Sequence, residues 1–278
     1  MSTKVRALSL LVTVLVMGVA TIAARRAPVA APSASSSTVV VAELFTSEGC
    51  SSCPPADDLL REWLASQPVP GVQIVGLGEH VDYWDRLGWR DPFSSAAFSA
   101  RQSAYDAAVF RDNRVYTPQL VLDGRLEAIG SDTAAVQRAV VEAARQPKAI
   151  VDVATTAEGS DRLRVQVRVQ VPAGVPRRGA AEVVLAMTED GLATKVVRGE
   201  NGGRTLRHAA VARSLTTIGV IEAATGDTTQ HGSVWLSADW SRPNMRLVAF
   251  LQERESRRIL GAASVALAAA ATPSGASR

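Results

Sequence analysis

The sequence predicts an α/β N-terminal domain followed by an all-β, sandwich-like C-terminal domain. Three observations carry that prediction. In the first half, short β-branched runs alternate with stretches of helical spacing, the pattern of strands joined by crossover helices. In the second half the dominant period is two, as in strands with one wet face. The only two cysteines, Cys50 and Cys53, fall between the first strand and the first helix. With 47% hydrophobic and 21% charged residues over 278 positions, the chain is neither disordered, collagen-like nor coiled coil for most of its length.

The elements follow in order. Val39 to Phe45 is a β-branched run suited to a buried parallel strand. After the cysteines, Ala56, Leu59, Leu60, Trp63 and Leu64 share one face of an amphipathic helix. Pro54 and Pro55 fit its first turn, where amide hydrogens have no helical partner. Val72 to Leu77 makes a second strand, and a polar, aromatic stretch from His80 to Phe93 leads to a helix over 94–110. Leu120 to Leu122 and Leu126 to Ile129 flank Asp123-Gly124, a hairpin signal. Ser131 is placed to cap a last helix running to about Arg145. The order β-α-β-α-β-β-α over 38–147 describes a thioredoxin-like sheet, with the Cys-X-X-Cys where such a fold puts its active site.

From residue 148 to 266, Leu163, Val165, Val167, Val169 and Val171 alternate with polar residues. Further strands are expected at 150–155, 182–188, 233–239, 246–252 and 259–266, with a hairpin turn from Glu253 to Arg258. Six or more strands with few helical stretches imply a small antiparallel sandwich. Residues 267–278, rich in Ala, Ser and Thr, read as a frayed tail.

Lys4 and Arg6 precede an uncharged apolar stretch over 7–24, the layout of a secretory signal ending near Ala30. An uncleaved anchor is the alternative, since that stretch reaches the lower limit for spanning a membrane. Residues 31–37 then read as a flexible linker, and the folded part lies outside the cytoplasm, periplasmic or secreted, and membrane-bound only if the leader stays. Removing the leader changes the net charge from +3 to −1, so nucleic-acid binding through a basic surface loses its support.

Two cysteines separated by two residues close too small a loop to staple a fold. They are placed for chemistry. Cys50 is expected to be the less covered, attacking sulfur, its thiolate favoured by the start of the helix. Cys53 is expected to resolve the mixed disulfide. Protein thiols and disulfides are the partners this chemistry implies, and it calls for no cofactor. Pro118, in Val115-Tyr116-Thr117-Pro118-Gln119, is placed to start a strand beside the disulfide, as a cis-proline holding a substrate backbone or as an ordinary trans one. Glu43 lies on an apolar strand, either as a buried proton shuttle to Cys53 or as a strand-end glutamate that reaches solvent or pairs with an arginine. His80 and Asp82 follow the second strand at the sheet edge where ligands bind, His80 for proton transfer and Asp82 to orient it. Cys50, Cys53 and His80 are alternatively soft ligands for copper(I). Tyr83, Trp84, Trp89 and Phe93 form either a substrate wall or packing for an insertion, while His208 and His231 look isolated. A third reading is a non-catalytic interaction protein with a permanently closed disulfide.

Glu43 to Asp57, His80 to Asp85, Leu87 to Phe93, Val115 to Gln119 and Gly199-Glu200-Asn201 with Gly203 to Leu206 and His208 together resemble the motifs of a secreted, thioredoxin-like bacterial family, domain of unknown function 1223. The resemblance runs from about residue 38 to 265 and departs at Glu48, where glutamine is expected. It implies the fold and export but supplies no activity, because the family has none established.

Overall fold

The computed structural model describes residues 37–222 and 226–267. The leader 1–30, the linker apart from Ser37 and the tail apart from Leu267 lie outside them.

Strand β1 (Thr38–Thr46) pairs in parallel with β2 (Val72–His80), setting Thr46 opposite His80. Between them runs α1 (Pro54–Ser66), which starts on its two prolines. It ends at Gln67, whose side chain exchanges hydrogen bonds with the backbone of Ile74 and so ties the helix end to β2. Helix α2 (Ala96–Tyr105) is capped by Ser95 and runs on into a π-helical turn over Asp106–Phe110. Strands β3 (Gln119–Leu122) and β4 (Leu126–Ile129) form the expected hairpin. Helix α3 (Thr133–Ala144) follows, capped by Asp132 rather than Ser131.

The second half supplies β5 (Ile150–Glu158), β6 (Arg162–Gln170), β7 (Ala181–Glu189), β8 (Leu192–Lys195) and β9 (Thr205–His208). It continues with β10 (Val211–Ile221), β11 (Thr228–Trp235), β12 (Met245–Glu253) and β13 (Ile259–Ala266).

The predicted fold class is wrong. Strands take 43% and helices 19% of the described residues, and the main element is one mixed sheet of eight strands. Its order is β13-β12-β7-β10-β2-β1-β3-β4, so strands of both halves share it. There is no separate α/β thioredoxin-like domain beside an independent sandwich. A three-stranded sheet, β11-β6-β5, covers part of the large sheet, and β8-β9 form a small ribbon.

The misreading has two physical causes. Val183 to Met187 in β7 and Leu247 to Leu251 in β12 are apolar without alternation, because both faces are buried. Such strands belong inside a covered sheet, not in a sandwich with one wet face. Strand β10, which joins the halves, has the mixed sequence VARSLTTIGVI, and no strand is predicted there. It meets β2 at Val211 and Gly78, where the Gly78 amide donates to the Ala210 carbonyl at 2.7 Å. A side chain on Gly78 would meet the Ala209 carbonyl oxygen at 3.3 Å, so the absent Cβ permits this approach.

One backbone junction would hold the halves weakly, since a hydrogen bond nets only about 1 kcal/mol. The stronger link is a shared core of Val41, Val75 and Leu77 with Val184, Ala186, Val248, Phe250, Ile259 and Ala262. At roughly 1.5–3 kcal/mol for each large apolar side chain buried, this cluster dominates. Separate clusters lie beneath α1 and α3 and between the two sheets of the second half.

Candidate functional site

The chain leaves β1 through a tight turn in which the Cys50 amide donates to the Ser47 carbonyl at 3.1 Å. Cys50 and Cys53 form a disulfide with their Cα atoms 5.5 Å apart. Cys53 is the N-cap of α1. Its carbonyl accepts from the amides of Ala56 and Asp57, and its own amide donates to the Cys50 carbonyl. With Pro54 and Pro55 lacking N–H groups, these amides of the helix start bond carbonyl oxygens rather than pointing at sulfur. The polar atoms near the Cys50 sulfur are instead the Ser52 hydroxyl at 3.3 Å and the Thr117 carbonyl at 3.9 Å. The Thr117–Pro118 bond is cis, and the pair lies directly before β3. Both cysteines are buried, Cys50 1% exposed and Cys53 0%, so neither is open to an incoming polypeptide.

Much of the cover comes from the other half of the chain. The turn over 199–203 lies across residues 48–51. Asn201 donates from its side-chain amide to the carbonyls of Glu48 and Cys50, both at 2.9 Å. Arg204 fixes the opposite end of that amide by donating to its oxygen at 2.7 Å. Glu200 accepts from the Ser51 amide at 3.0 Å, and Ser51 holds its carboxyl below the usual range. Trp89 backs the turn, since a Cβ on Gly199 would sit 3.0 Å from its Cβ.

Behind the disulfide is a buried polar cluster. The Glu48 side chain accepts from Trp89 Nε1 at 2.8 Å and meets His208 Nε2 at 3.1 Å. The Glu48 amide donates to Asp91, whose same oxygen lies 2.7 Å from His80 Nδ1. Burial pushes the Asp91 carboxyl up, but His80 and the backbone donors Glu48 and Phe93 outweigh it and hold the group low. The His80 and His208 rings meet edge to face at 4.8 Å, with Phe93 against both. Asp57, one turn beyond Cys53 on α1, faces His208 Nδ1 at 3.8 Å. Burial raises its carboxyl to about 7 against the pull of His208. Neither that nitrogen nor Asp57 Oδ2 has a hydrogen-bond partner among the described residues.

The structure thus brings Cys50, Cys53, Pro118 and His80 into one region. Glu43 belongs elsewhere, bonded to Arg101 at 2.5 Å and to the Tyr105 hydroxyl, which is the arginine-paired alternative. Asp82 does not orient His80; it accepts from Ser99, and Asp91 takes the orienting place. The copper(I) set is not assembled. Both sulfurs are joined to each other, and no group of three His, Cys, Asp or Glu side chains among the described residues is placed to hold a metal. Trp84 is more than packing, since its indole donates to the Thr117 hydroxyl at 2.9 Å.

Sequence reasoning missed Asp57, Asp91, Asn201 and His208 as members of the site. One signal pointed to them: every segment that carries the family resemblance converges on this disulfide.

Comparison with known proteins agrees in part. A crystal structure of an Agrobacterium tumefaciens protein is similar with a TM-score of 0.62 and 26% identity, covering 86% of this chain and 99% of that one. HBP35 of Porphyromonas gingivalis is similar with a TM-score of 0.61 over 86% of this chain and 81% of its own, and at 16% identity it speaks for the fold alone. No curated protein matches the sequence. The model of one family, described as "Protein of unknown function (DUF1223)", matches residues 41–252. By that match, which spans most of the chain, this protein belongs to the DUF1223 family.

Proposed function

We propose that the protein exchanges thiols and disulfides on protein substrates outside the cytoplasm. The observation that carries the reading is a disulfide at a helix start, beside the Thr117 carbonyl, with a protonatable buried carboxyl one turn behind it. A substrate thiolate attacks the Cys50 sulfur, forming a mixed disulfide while the Cys50–Cys53 bond breaks and Cys53 leaves with the electron pair. Asp57, one turn further along α1 with its carboxyl raised to about 7, supplies the proton. A second substrate thiolate then displaces Cys50; the substrate is oxidised by two electrons and the cysteine pair reduced. The reverse sequence reduces a substrate disulfide.

Because both sulfurs are covered, exchange requires the 199–203 turn to lift from residues 48–51. The leader pattern in residues 4–30 supports export, where such chemistry operates. No helix among the described residues is long and apolar enough to cross a membrane, and 7–24 lies outside them.

Trapping tests the exchange. Cys53→Ala is expected to accumulate mixed disulfides with disulfide-bearing unfolded protein substrates, whose disulfide the free Cys50 thiolate attacks with the second substrate sulfur leaving, and Cys50→Ala to accumulate none. Equal trapping by both variants, or by neither, contradicts the proposal. The near-complete burial of both sulfurs favours a second reading, a permanently closed structural disulfide.

A further inference from the structure

Between α2 and the edge of β10 lies an open cleft of about 690 Å³, a volume typical of small-molecule sites. It exists because α2 presents Ala97, Ala100 and Ala104 to it, residues spaced three and four along one helix face. Larger side chains there would fill the space. Phe93 and Trp240 also line the cleft, each 5.5 Å from the Arg213 guanidinium. Arg213 is already paired, with Glu189 at 3.6 Å and Asp239 at 3.4 Å. Glu182, the acid in the lining, is taken by Arg254 at 2.9 Å.

The other two arginines are arranged differently. Arg101 is fixed by Glu43, Gln252 and the Tyr105 hydroxyl, with a tenth of its side chain open. Arg257 lies 5.6 Å over the Tyr105 ring, its carbonyl held by Gln252. Its Nε has no hydrogen-bond partner among the described residues, and no carboxyl there is within ion-pair distance. Glu79 is buried nearby, and burial, then the adjacent Glu43, hold its carboxyl well above the usual range. Arg257 thus lines a partly apolar cleft with no carboxylate in ion-pair distance among the described residues.

We propose that this cleft binds a small organic carboxylate, its charge taken by Arg257 with Arg101 alongside and its apolar body lying on the alanine face of α2. The site is independent of the disulfide chemistry.

Calorimetric titration of the purified full chain with octanoate, and with octanamide as the uncharged control, tests it. Octanoate is expected to bind at least about tenfold more tightly than octanamide, since an arginine–carboxylate pair adds charge-assisted hydrogen bonds. Arg257→Gln is expected to erase that preference. Ala100→Phe, which fills the cleft from the helix side, is expected to abolish binding of both, with melting temperature checking that each variant is folded. No octanoate binding by the wild type, equal affinity for the two ligands, or a preference that survives Arg257→Gln would each overturn the proposal. If Arg257→Gln does not fold, the wild-type preference and Ala100→Phe still decide.

Discussion

Asp57 occupies a first-turn position where an exposed acid would serve the helix dipole, yet its side chain is buried against His208. Its carboxyl has an ordinary value of 3.8 and is raised to about 7 by burial. The native state therefore holds an extra proton between those two values, and stability falls as pH rises from about 4 to about 7. Asp57→Asn removes that loss. Urea unfolding near pH 4 and near pH 8 is expected to show the variant gaining on the wild type at the higher pH, by up to about 4 kcal/mol. A difference that does not change with pH would show that this carboxyl is not held protonated. At this scale Cys50, Cys53 and Pro118 were legible from spacing and chain order. Asp57 and His208 were not, because neither has any local pattern to announce it. Their burial and their pairing arise only when β9 is laid beside α1.

The 199–203 turn carries part of the family resemblance, but its sequence does not show what it packs against. Its role depends on Asn201 reaching carbonyls about 150 positions earlier in the chain. Asn201→Ala leaves both carbonyls without that donor, at a cost of about 1–3 kcal/mol. It also frees the cover, so reduction of the Cys50–Cys53 bond by dithiothreitol is expected to run several-fold faster. An unchanged or slower rate would mean that the turn does not control access. Helix α1 was readable because Ala56, Leu60 and Trp63 are spaced to one face and buried there. The β3–β4 hairpin was readable because Asp123 and Gly124 both take positive φ, which the Asp-Gly pair favours. Strand β10 carries neither clean alternation nor an apolar run, because its neighbours and its exposure change along its length. Missing that strand turned one sheet into two predicted domains.

Across the whole molecule, the cluster from Val41 to Ala262 and the contact of Gly124 with the Arg257 carbonyl bind the two halves of the sequence together. A Cβ on Gly124 would lie 2.0 Å from that oxygen. Unfolding is therefore expected to be one cooperative transition. Trp63, Trp84 and Trp89 report on the first half, and Trp235 and Trp240 on the second. Phe250→Ala, in the shared cluster, is expected to cost about 3–5 kcal/mol and to shift fluorescence and far-ultraviolet dichroism together. Two separated transitions, or a shift confined to one probe, would show that the halves are held independently.

The reduction potential of the Cys50–Cys53 pair tests the exchange mechanism most directly, measured by equilibrating the protein with glutathione buffers. A working exchange pair is predicted to lie between about −120 and −270 mV. A potential below about −300 mV, where structural disulfides resist reduction, would contradict the account and leave the pair as a closed strut.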